Sequence, residues 1–87
     1  IDPNNGFFLD TLGWVEFKRK NYNSSVFFLE KSVSLLPNSS EVIDHLGDCY
    51  LMLNRKNEAI FEWKKALNYE KDNKVIKSIQ KKLSEYE

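Results

Sequence analysis

The feature that most restricts the fold of this chain is an internal period, the interval that carries Pro3 onto Pro37. Shifted by that interval, Pro3-Asn4 falls on Pro37-Asn38, Asp10 on Asp44, and Leu12-Gly13 on Leu46-Gly47. Asn23, Phe27 and Lys31 fall on Asn57, Phe61 and Lys65. Conservative pairs keep the same phase: Leu9 with Ile43, Phe17 with Leu51, Val26 with Ile60, Val33 with Leu67. A period of roughly 20–50 residues marks a chain in which each unit cannot bury its apolar face alone and must stack on the next.

Within each unit the apolar spacing is helical. Leu9, Leu12 and Glu16 continue from Phe8 at intervals of three and four, and Lys20-Asn21 breaks the pattern. Asn21 is placed as an N-cap before Val26, Leu29, Val33 and Leu36, and Pro37 cannot continue the i to i−4 ladder. Asn38-Ser39-Ser40-Glu41 has the form of a capping box. Val42, Ile43, Leu46, Tyr50 and Leu53 then mark a third helix, and Asn54 suits the left-handed conformation of a tight turn. Ala59, Ile60, Trp63, Ala66, Leu67 and Tyr69 mark a fourth. Val75, Ile76, Ile79 and Leu83 mark a fifth, after Asp72-Asn73. No segment alternates with period 2, so the expectation is all-α: five helices and no strand. Gly13 and Gly47 sit mid-helix at a propensity cost of about 1 kcal/mol each relative to Ala. Facing Ser25, Ser32, Ala59 and Ala66 on the second helices, they fit a line of close helix–helix approach. Phe27 and Phe61 are expected in core or inter-repeat contacts. Phe28, which aligns with Glu62, is expected at the surface.

With this pattern in place, the residues resemble the tetratricopeptide repeat, whose signature is W-x2-L-G-x2-Y, then A-x3-F, then A and P. The unit of that family is about 34 residues long, which is the interval found here. The second unit carries Ile43, Leu46-Gly47, Tyr50, Ala59, Trp63 and Ala66, with Lys71 in place of the terminal proline. The first carries Leu9, Leu12-Gly13 and Pro37, but Glu16 takes the tyrosine position and Ser25, Leu29 and Ser32 replace the small–aromatic–small set. The resemblance divides the chain into the tail of a preceding repeat (1–5), repeat 1 (6–39), repeat 2 (40–73) and a C-terminal capping helix (74–87). In the last segment Gln80 and Lys81 stand where a Leu-Gly pair would be. It implies antiparallel helix-turn-helix pairs stacked as a right-handed α-solenoid, cut from a longer array. It also implies a protein-binding scaffold whose first helices line a concave groove for a peptide.

Helix geometry then picks out the groove residues: Phe7, Asp10, Trp14 and Phe17, with Lys18, on the first helix, and Glu41, Asp44, Asp48 and Leu51 on the third, with His45 and Met52 beside them. Ser78, Lys82 and Tyr86 follow on the last helix. Chaperone-docking members of the family clamp a C-terminal carboxylate with cations at these positions. Four carboxylates here would repel such a ligand, so the expected partner is a basic or apolar protein or peptide. An Arg or Lys would meet Asp10, Asp44 and Asp48, and an apolar side chain would meet Trp14, Phe7 or Phe17. The residues leave other roles open. Trp14 packs equally well against a neighbouring repeat, Asp10 and Asp44 against lysines, and His45 suits a solvated helical position.

Charge separates other classes of function. Thirteen acids balance thirteen bases, which argues against a nucleic-acid binder as a whole. Residues 1–53 nevertheless hold seven acids against four bases, and residues 64–87 seven lysines against four acids. The nucleic-acid reading would rest on Lys64, Lys65, Lys71, Lys74, Lys77, Lys81 and Lys82. A homo-oligomer is a further alternative, through Phe7, Phe8, Trp14 and Phe28 at the open end, with head-to-tail attraction between the oppositely charged ends. With one histidine, one cysteine and no glycine-rich loop, the chain offers no nucleophile–base pair or phosphate loop, and no enzyme activity or cofactor is expected. His45, Asp48 and Cys49 share spacing that reaches one metal ion, yet Cys49 aligns with apolar Val15, so no metal is assigned. No apolar run approaches the ~20 residues of a membrane span. The unpaired cysteine fits a reducing, cytoplasmic compartment slightly better than an oxidising one.

Overall fold

The computed structural model of the chain describes residues 4–87. Ile1, Asp2 and Pro3, assigned above to the tail of a preceding repeat, lie outside the described residues. Five helices follow in order: α1 (Gly6–Lys18), α2 (Tyr22–Leu35), α3 (Ser40–Met52), α4 (Lys56–Leu67) and α5 (Asn73–Tyr86). Among the described residues there is no strand, as the apolar spacing requires. Helix bounds obey the sequence period: α3 begins and ends one period after α1, and α4 begins one period after α2.

The turns repeat as well. Lys20 and Asn54 both take positive φ, 66° and 62°. At the first turn Lys20 N–H donates to the Phe17 carbonyl and Asn21 N–H to that of Glu16, both at 2.9 Å. At the second, Asn54 N–H reaches Leu51 at 3.0 Å and Arg55 N–H reaches Tyr50 at 2.8 Å. This is the Schellman arrangement, which satisfies two carbonyls that a helix end leaves open. Asparagine tolerates it. Lysine bears the steric cost of its Cβ there, which is why the sequence pattern points to Asn54 more readily than to Lys20.

Close approach explains the glycines. A Cβ on Gly13 would lie 2.7 Å from Leu29 Cγ, and one on Gly47 would lie 2.5 Å from Trp63 Nε1. In the first pair the Ser25 hydroxyl donates to the Gly13 carbonyl at 2.8 Å, and the Ser32 hydroxyl to Gly6 at 2.7 Å. Both serines are fully buried. These crossed contacts, later residues of α2 on earlier residues of α1, make the helix pair antiparallel. Serine at 25 and 32 therefore replaces the alanine of 59 and 66 without a steric or polar penalty, because each hydroxyl has an acceptor.

Each helix packs on the next, and α1 also touches α3, so adjacent pairs stack as in a helical repeat with extents of 37 × 27 × 18 Å. The core runs along the inner seam: Leu29, Ile43, Leu46, Ala59, Trp63, Ala66, Ile79 and Leu83. Tyr50 joins it and donates its hydroxyl to Glu30 of α2 at 2.6 Å, tying the second pair to the first. Burial, with that carboxylate as acceptor, pushes the Tyr50 phenol well above its usual range.

Several local expectations are corrected. The cap of α3 is Ser39, which accepts from Val42 N–H, rather than Asn38. Asn21 does occupy the N-cap position of α2, but its side chain makes no capping bond; its amide donates to Glu16 at 2.9 Å, back across the turn. Phe27 and Phe61 are 65% and 63% exposed and stand outside the core. Glu62 is buried beside Lys65, at 3.1 Å, while Phe28 is half-buried. Phe27 and Phe61 match in exposure as in register, whereas Glu62 is buried more deeply than its counterpart Phe28.

Candidate interaction site

The side-by-side placement of α1 and α3 creates an open depression of about 380 Å³. Asp10, Thr11, Trp14 and Val15 line it from α1, Lys18 and Arg19 continue it to the end of that helix, and Glu41 and His45 close it from α3. Spacings of three, four and seven along α1 put Thr11, Trp14, Val15 and Lys18 on one face.

Its wall is aromatic. Trp14 stacks on Phe17 with centroids 4.5 Å apart and planes 5° apart, and on His45 at 3.9 Å and 16°. Tyr22 meets the Phe17 ring edge-on at 5.4 Å, and the Lys18 ammonium stands 5.3 Å from the Trp14 ring. Trp14 therefore faces the groove and also packs on the next first helix, two roles the sequence presented as alternatives. Asp10 is buried and lies 2.8 Å from His45 Nδ1. An ionised carboxylate only accepts, so Nδ1 carries the proton in this pair.

The other two acids of the expected groove are not free. Lys82 of α5 reaches Asp44 at 2.6 Å and Asp48 at 2.9 Å, and its ammonium sits 5.4 Å from the Trp63 ring. Asp48 also accepts from the Trp63 indole N–H at 3.2 Å. Burial raises the Asp44 pKa, and the Lys82 hydrogen bond offsets only part of that. For Lys82, burial disfavours the charge, but the two carboxylates outweigh it and its pKa is raised. Of the two roles the sequence left open for Asp44, a partner's cation or a lysine of this chain, the structure shows the second, and Asp48 shares the same lysine of α5. Sequence placed Lys82 on the right face, but its pairing with two acids on a helix far back in the chain is a tertiary event.

The remaining expected residues scatter. Phe7 is 66% exposed and lies off the depression, and Leu51 is half-buried against the core. Glu41 is exposed and, among the described residues, has no cationic partner. Thr11, Val15 and Arg19 belong to the depression although the sequence did not single them out. Their spacing from Trp14 carries the signal.

Donor atoms of Asp10, Glu41 and His45 lie within 4.8 Å of one another. The set weighed from spacing, His45 with Asp48 and Cys49, does not form: Asp48 is held by Lys82 and Trp63, and Cys49 is buried with its thiol on the Tyr22 carbonyl at 3.5 Å. Three of the seven C-terminal lysines are likewise spent on carboxylates, Lys64 on Glu87, Lys65 on Glu62 and Lys82 on Asp44 and Asp48. That weakens any basic stripe for nucleic acid. Among the described residues no helix is long and apolar enough to cross a membrane. No protein-family model matches the chain, and no characterised protein matches it in sequence.

Proposed function

We propose that this chain is a tetratricopeptide-type module of a right-handed α-solenoid, and that it serves as a protein–protein interaction scaffold rather than as an enzyme. Residues 6–39 and 40–73 are its two repeats and 74–87 its capping helix. The observation that carries this reading is the open aromatic depression between the first helices of successive units, where Trp14 and His45 stack. A depression of this kind takes a peptide side chain, with Trp14 as the anchor surface. The partner reaches α1 and the start of α3 but not Asp44 and Asp48, which are already paired. Titrating the isotope-labelled chain with a pool of random dodecapeptides while following amide resonances tests it. Shifts grouped at 11–19 and 41–45 support the site, and a Trp14→Ala chain should lose them. Shifts elsewhere, or none, refute it.

Self-association stays as the second reading, favoured by the exposure of Phe7, Phe27 and Phe61 at 66%, 65% and 63%. Sedimentation that is independent of concentration would remove it.

A further inference from the structure

We infer that the depression selects an extended peptide carrying a cation, an apolar residue and an anion at alternate positions, rather than a basic peptide in general. This rests on the peptide-binding role proposed above. With Lys82 occupying Asp44 and Asp48, the uncommitted charges around the depression are of opposite sign and sit at opposite ends. At one end Glu41 lies within 4.8 Å of Asp10 and His45. Asp10 is engaged with His45, so Glu41 is the acid that faces outward unpaired among the described residues. At the other end Arg19 is tied to Glu16 at 3.4 Å. Lys18 has no carboxylate partner among the described residues and rests near the Trp14 ring. Trp14 and Val15 supply the apolar stretch between them.

Spacing converts this into a motif. Asp10 and Lys18 are two turns apart on α1, about 12 Å at roughly 1.5 Å per residue. An extended peptide rises about 3.3 Å per residue, and alternate side chains point to one side. Residues i, i+2 and i+4 therefore span about 13 Å and face the depression together. The cation meets Glu41, beside Asp10, the apolar residue meets Trp14, and the anion meets Lys18. A second cation at the far end would meet Lys18 and be rejected.

The test is a fluorescence-polarisation titration with twelve-residue Gly/Ser peptides that carry one Arg, one Leu and one Glu in every order and spacing. Each series is run with and without EDTA, and Trp14 resonances are followed in parallel. The expected result is about ten-fold tighter binding of one Leu-centred order over the reversed order of the same residues, the gain of two exposed ion pairs. In a chain carrying Glu41→Lys with Lys18→Glu, both exposed positions, the reversed peptide order should become the preferred one. Equal binding of all Leu-containing peptides, still at Trp14, overturns this inference and leaves the peptide site standing. No response at Trp14 to any peptide overturns both. Order preference that appears only when EDTA is omitted assigns the acidic end to a divalent ion and overturns the motif.

Discussion

Replacing Lys82 with methionine tests the most consequential contact in the molecule. The ammonium makes two charge-assisted hydrogen bonds, to Asp44 at 2.6 Å and Asp48 at 2.9 Å. The side chains retain only 25%, 19% and 24% exposure for Lys82, Asp44 and Asp48. Methionine keeps the stem packing near Trp63 but leaves two half-buried carboxylates facing each other. A hydrogen bond to a charged group contributes about 1.5–3 kcal/mol, and breaking a fully buried pair costs about 3–5 kcal/mol. Partial exposure and screening reduce both figures, so the expected loss is about 2–3 kcal/mol. Urea unfolding followed by far-UV circular dichroism measures it. Adding Asp44→Asn and Asp48→Asn should recover most of the loss, because no unpaired charge then remains. Burial already raises Asp44 above the ordinary carboxylate value, and without Lys82 the hydrogen bond that offsets part of that shift is lost, so the Asp44 pKa should rise further. The deficit should therefore shrink as pH falls and Asp44 protonates in the fold. A loss under about 0.5 kcal/mol, the range of an ordinary surface change, would refute the claim that Lys82 satisfies these acids.

Gly47→Ala should destabilise by up to about 2 kcal/mol, since overpacking costs about 1–3 kcal/mol and the helix-propensity gain offsets about 1 kcal/mol. Trp63 is fully buried and bonded to Asp48, so it cannot step aside from the new methyl; equal or higher thermal stability would contradict this. Lys20→Gly should stabilise by up to about 1 kcal/mol by relieving the positive φ at the first turn, as read by the urea midpoint. The raised pKa of Lys82 means that its stabilisation is fully present below the unfolded lysine value of 10.5 and is lost as pH rises through the higher folded value. Hydrogen exchange in α5 should therefore accelerate on that alkaline side, beyond the acceleration expected for free amides, and the excess should be missing from Lys82→Met.

The repeat period and the three-and-four spacing of apolar residues were enough to set the number of helices, their approximate bounds and their pairing order. Those properties depend on local periodicity, and a side chain's place on a helix follows from its count along the chain. The same arithmetic found Trp14, Asp10 and Glu41, and it showed that position 54 could turn left-handed. What it could not decide was which charges are spent. Lys82 meets Asp44 and Asp48 only because α5 packs against α4 and lays its lysine across the side chains of the earlier helix α3. The burial of Glu62, deeper than that of its counterpart Phe28, likewise depends on which neighbours flank each pair, since a repeat has matching residues in non-identical surroundings. Helix geometry, applied to the groove that the repeat resemblance implied, suggested an acidic surface. Tertiary pairing turned it into a depression with one acidic end, one basic end and an aromatic wall.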